Sequence, residues 1–221
     1  STESYRFANC GLEPYSEYYA SQVAKKMGIC HVEYGLSRWK KTLSSTCKLF
    51  TSKDISYVQI GDVVTHGGIK AVYEFVRKHG FEDKFSDMIL FDSLCMNADR
   101  HFGNFGLLRN NHSGKFIDMA PIFDNGESLL TRALDDVFSS KEAFLEYIWK
   151  SEVDVSYYGV RYEDLVREFC NKNQIVKLRK LLNFEFTKHS TYNLSSKRLR
   201  FLSLMIRERA RRFIDILNEK K

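Results

Sequence analysis

The stretch CMNADRHFGNFGLL, residues 95–108, limits the possible folds of this chain more than any other. It sets Asp99, Arg100, His101 and Asn104 within six positions, between two apolar runs. An isolated Asp- and Asn-rich loop is an ordinary turn, because both side chains bond their own backbone. The flanks make this one unusual. The run before it, EDKFSDMILFDSLCMN, places Phe85, Met88, Ile89, Ser93 and Met96 on one helical face, so the loop follows a helix. After it, FGLLRN, a turn at NHSG and KFIDMAPIFDNG predict two short strands joined as a hairpin. A second isolated carboxylate, Asp124, stands at the hairpin's exit.

The rest of the chain is mostly helical in pattern. Pro14 at a first helical position, apolar Tyr19, Val23 and Met27, and a closing Gly28 predict a helix over 14–27. HVEYGL and TCKLFT read as short strands. Gly67 and Gly68 precede a helix, IKAVYEFVRKHG, that ends at Gly80, and His66 with these glycines reads as a turn opening that helix. The last helix, 196–218, repeats Leu199, Leu202, Ile206, Ala210, Phe213 and Leu217 at spacings of three and four. Its Arg200, Arg207, Arg209, Arg211 and Arg212 read as a solvated face. The fold class expected is α+β, predominantly helical.

Composition narrows the chemistry. With 221 residues, 43% of them hydrophobic, the chain can bury a sizeable core, and its net charge of +6 suits an anionic partner. The five cysteines, at 10, 30, 47, 95 and 170, form no CxxC pair, so neither a disulfide framework nor a zinc knuckle is indicated. Cys47 and Cys95 read as core residues, and a cytoplasmic setting is expected. No apolar run approaches the roughly 18 residues of a membrane span.

Asp99 and Asn104 stand five apart, followed by Asp124. Phosphoryl transfer uses such a set: one carboxylate meets the attacking hydroxyl, while an Asn and another Asp hold magnesium against the phosphates of ATP. Magnesium is a hard ion that takes oxygen ligands, few of them from protein. Arg100 and His101 are placed to brace the loop or to touch phosphate.

On these residues, NADRHFGN followed by IDMAPIFDNG, the chain resembles the HipA-like kinases, a family of bacterial toxin Ser/Thr kinases, and less closely the DRHxxN loop of phosphatidylinositol kinases. The resemblance implies a kinase-like C-lobe with remnant N-lobe strands and helix. It makes Asp99 the catalytic aspartate, with Arg100 and His101 beside it, Asn104 a magnesium ligand, and Asp124 the metal-binding aspartate of the DFG position, where this chain reads Asp-Asn-Gly. It places Glu17, ahead of Glu13, where the family pairs a helix glutamate with a strand lysine, and it sets Lys48 to Ser52, with Phe50, as the hinge beside adenine.

The resemblance also implies a phosphate-covering loop and a strand lysine before the first helix. The 13 residues preceding Pro14 contain one glycine, Gly11, and no lysine. Residues 1–52 are therefore expected as a partial N-lobe and 53–221 as the C-lobe, completed by strands on a partner polypeptide docked around Val32, Tyr34, Leu49 and Phe50. The resemblance further implies a protein substrate, toxin–antitoxin action with an antitoxin partner, and nucleic-acid contact only through that partner. Two other functions fit the residues: a pseudokinase or binding module without catalysis, and a phosphatidylinositol-type lipid kinase.

Overall fold

The computed structural model describes residues 11–150 and 154–220; Cys10 and the rest of the first ten residues, which were read for a phosphate loop, lie outside them. The fold is α+β and predominantly helical. Helix α1 (Glu13–Met27) opens on its proline and closes on Gly28, whose φ of 79° needs no Cβ. It is followed by a hairpin of β1 (Tyr34–Trp39) and β2 (Thr42–Cys47), paired from Tyr34 with Cys47 to Trp39 with Thr42. The strands lie later in β1 and earlier in β2 than the apolar runs suggest. Their two-residue turn is Lys40–Lys41, with φ of 46° and 70°, a primed turn without the Asn or Gly that signals one in sequence.

Chain 48–54 leads out of the hairpin into β3 (Ile55–Gln59), a strand that the apolar runs read above did not include. It pairs antiparallel with β4 (Gly106–Asn110), which pairs with β5 (Phe116–Met119), so the expected hairpin becomes two-thirds of a three-stranded sheet. Gly106 is required at this junction, because a Cβ there would meet the Val58 carbonyl oxygen at 2.1 Å.

The helical body carries α2 (Ile60–Val63), α3 (Gly68–Lys78), α4 (Glu82–Cys95), α5 (Lys141–Lys150), α6 (Tyr162–Phe169), α7 (Ile175–Arg179) and α8 (Ser196–Glu219). Gly67 caps α3 in the left-handed region, as the turn reading has it. Helix α4 is the centre of the molecule: every residue from Phe85 to Cys95 is buried, where the sequence suggested a single apolar face. Neighbours on all sides, α1, α3, α6 and α8, cover it.

Two readings of the surface are corrected. Arg209 of α8 is fully buried, with Nε donating to Ser93 O at 2.8 Å and Nη2 to Asp154 at 2.9 Å, while Arg212 makes a two-pronged pair with Glu163. The helix period could not show this, because the carboxylates that compensate these charges come from other elements. Cys47 is exposed at the end of β2, whereas Cys95 is buried in α4.

Candidate active site

Helix α4 ends on a left-handed cap at a residue other than glycine. Met96, buried, takes a left-handed φ of 52°, and Asn97 bends back so that its Nδ2 donates to Asp92 Oδ1 at 3.0 Å. Asp92 is the structural key. It sits 5% exposed in an apolar helix, and a carboxylate there needs a cation. Arg100 supplies it in a bidentate pair, Nε to Oδ2 and Nη2 to Oδ1, both at 2.9 Å. Burial opposes the guanidinium's charge, and the Asp92 carboxylate outweighs that effect.

The rest of the same guanidinium ties the two loops together. Nη1 donates to the carbonyls of Asn104 at 3.0 Å and of Phe123, and Nη2 to Asn125 Oδ1 at 2.7 Å. Arg100 is 1% exposed. It is a bracing residue out of reach of any phosphate, and it holds the 99–104 loop against the 123–125 loop. Tyr158 adds a bond from its hydroxyl to Arg100 O at 2.8 Å, and Tyr162 one to Asn97 O at 2.8 Å.

This bracing leaves the candidate chemical groups free. The Asp99 carboxylate, half-buried, has no hydrogen bond among the described residues; its backbone carbonyl takes Asn104 Nδ2 at 3.1 Å. That bond fixes the Asn104 amide and leaves its Oδ1 available. Asp124 is exposed, with a left-handed φ of 55° and no side-chain partner, and its N–H donates to the Tyr34 hydroxyl at 3.2 Å. An amide oxygen and a free carboxylate, with no soft ligand beside them, suit magnesium with water and phosphate as its other ligands. Among the described residues no three His, Cys, Asp or Glu side chains cluster into a metal cage. His101 stands apart from these oxygens: its Nδ1 accepts from Gly103 N at 3.0 Å and its ring faces Tyr157.

Helix α1 reaches this site from the other side. Glu17, 8% exposed, accepts from Asn125 Nδ2 at 3.3 Å, so a relay runs from Glu17 through Asn125 and Arg100 to Asp92. Ser16 Oγ donates to Asn125 O at 2.6 Å. Glu13 is spent locally, on Gly11 N at 2.7 Å. Among the described residues no lysine bonds Glu17, and burial pushes its carboxyl up to about 7. Because the folded-state value lies above the unfolded one, ionisation costs stability as pH rises from about 4.5 to 7. Glu17→Gln keeps the acceptor and removes the charge. It is expected to match the unaltered protein in melting temperature at about pH 4 and to exceed it by several degrees at about pH 8, a gap of up to about 3 kcal/mol. Equal melting at both values would mean that a cation neutralises Glu17.

Phe50 lies in the 48–54 connection, where Lys48 to Thr51 make no main-chain hydrogen bonds among the described residues. Its ring packs on Tyr57 at 5.9 Å and at 5.3 Å on Phe123, the residue before Asp124. Phe50 also lines an open cavity of about 670 Å³ with Val32, Tyr34, Cys47, Lys48 and Pro121. The docking surface expected at Val32 is not there: Val32 is buried, its N–H on Ile122 O at 2.8 Å, and of that set only Leu49, 87% exposed, is open.

Asp92, Asn125 and Ser16 were missed in the sequence, and Tyr34, expected on the docking surface, instead accepts from Asp124 N. Only Asp92 carried a signal, a charge inside the apolar run MILFDSLC.

No protein-family model matches the chain. Over 93% of its length it is 27% identical to the serine/threonine-protein kinase CtkA of Helicobacter pylori, of which the match covers 72%. The crystal structure of a Helicobacter pylori proinflammatory kinase CtkA superposes with a TM-score of 0.71 at 23% identity, over 96% of this chain and 87% of that one. No helix among the described residues is long and apolar enough to cross a membrane. The chain thus has a kinase fold, and by sequence it is related to a serine/threonine kinase.

Proposed function

We propose that this chain is an ATP-dependent Ser/Thr protein kinase of HipA-like type, with a protein hydroxyl as acceptor. The observation that carries the reading is the Arg100 guanidinium, which binds main-chain carbonyls of both the Asn104 and Asp124 loops while leaving the Asp99, Asn104 and Asp124 side-chain oxygens unspent. Phosphoryl transfer needs this arrangement of positioned oxygens more than covalent chemistry.

In this reading Asp99 orients the acceptor hydroxyl and takes its proton. Asn104 and Asp124 would hold magnesium, which would supply charge neutralisation at the ATP phosphates. The hinge 48–52 and the aromatic floor of Phe50 and Phe123 receive the base. The domain division at 52/53 falls at the end of that hinge. Glu17, buried without a cation among the described residues, is the reason to propose a lysine from outside them, supplied by an N-lobe on a partner protein. A toxin role with an antitoxin partner, in the cytoplasm, is supported by the HipA-like resemblance alone.

Calorimetric titration with ATP and magnesium tests the site. Asp124→Asn is expected to weaken nucleotide affinity about tenfold or more, and chelating the metal to do the same to the unaltered chain. Undiminished binding by the variant would remove Asp124 from the site. Binding that appears only with a co-purifying protein would support the partner lobe.

A further inference from the structure

The segment that follows Asp124 is built with unusual constraint. Leu129 and Leu130 are both buried and both take a φ of 56°, a left-handed conformation that is strained for a residue bearing a side chain. The strain is held in place from three directions. Leu129 N donates to Cys95 O at 2.8 Å, Ser16 Oγ donates to Ser128 O at 2.9 Å, and the buried Arg198 donates through Nη2 to Leu130 O at 2.6 Å and Ala133 O at 3.4 Å. The side chain this backbone presents is Arg132.

Its setting is specific. Arg132 Nε donates to Glu127 Oε2 at 2.7 Å, and the Glu127 carbonyl takes the N–H of Ala98, the residue before Asp99, at 3.2 Å. The guanidinium is thereby tied to the catalytic loop and lies within electrostatic reach of Asp99. Its two terminal nitrogens make no hydrogen bond among the described residues, and the side chain is 72% exposed. The loop itself offers no other cation for the phosphoryl group, because Arg100 is wholly spent inside.

Resting on the kinase reading, we infer that Arg132 is a catalytic residue: its free terminal nitrogens bind the phosphoryl group in transit beside Asp99. The acceptor hydroxyl oxygen bonds to the γ-phosphorus of ATP, its proton passes to Asp99, and the bond to the β–γ bridging oxygen breaks, ADP leaving with the electron pair. Arg132 donates to the equatorial oxygens throughout. A planar guanidinium with two adjacent donors suits that geometry better than an ammonium.

The test uses the whole chain, with any co-purifying protein, and follows phosphate transfer from ATP and magnesium to dephosphorylated casein. Arg132→Gln is expected to lower kcat about 100-fold, with nucleotide Kd within about threefold and an unchanged melting temperature. Arg132→Lys is expected to recover part of the loss. Arg109→Gln, which removes an exposed charge from β4, should keep full activity. Transfer by Arg132→Gln at the unaltered rate overturns this role alone, and so does a loss that follows a fall in melting temperature and that Arg132→Lys fails to recover. If the unaltered chain transfers no phosphate, the kinase reading falls and the role with it.

Discussion

Asp99→Asn is expected to lower phosphate transfer by about 10²- to 10⁴-fold, the usual worth of a positioned proton acceptor. The lower end is favoured, because a loose phosphoryl-transfer transition state asks less of a base than of positioning. The structure adds a second expectation. The Asp99 carboxylate has no hydrogen-bond partner among the described residues, so the amide breaks nothing, and melting temperature and ATP binding should be preserved. Quench-flow or steady-state assay with calorimetry on the same preparation checks both. A variant that transfers within tenfold of the unaltered rate would move the chemistry elsewhere; a binding module without catalysis would show no transfer by either protein.

The largest effect on stability is expected at Arg100. Arg100→Met strands the Asp92 carboxylate in the core and releases the Asn104 and Phe123 carbonyls, a loss of about 3–5 kcal/mol. For a chain of this size that is a fall in melting temperature of roughly 6–20 °C. Asp92→Leu combined with Arg100→Met is expected to recover part of it, since replacing both ions by apolar groups removes the stranded charge. Transfer should not recover with it, because the two loops remain unpinned. A single variant that melts like the parent, measured by scanning calorimetry, would refute the bracing role.

These two variants separate what the site residues do. Among the described residues Asp99, Asn104 and Asp124 keep side-chain oxygens unspent, whereas Arg100 is consumed by six bonds to Asp92, Asn104, Phe123, Asp124 and Asn125. Adjacent letters in DRH thus have opposite fates, one with its carboxylate left unbonded for the proposed reaction and the other pinning the two loops together. Glu17 belongs to the second kind, bonding the loops through Asn125.

The sequence by itself determined what depends on near neighbours. Helix α1 between Pro14 and Gly28, α3 capped by Gly67 and the helix-loop-hairpin order around residue 99 follow from local periodicity and turn chemistry, and the proposed set Asp99, Asn104 and Asp124 was read from spacing. The tertiary structure decided what depends on distant partners. Lys40–Lys41 became a turn because β1 and β2 pair, not because either residue favours a positive φ. Arg209 went into the core because Asp154 met it there, 55 residues away in sequence. Arg100 turned inward because Asp92 needed a cation and Asn125 Oδ1 a donor. A charge's fate is set by whether a compensating group arrives, and that group can come from anywhere along the chain.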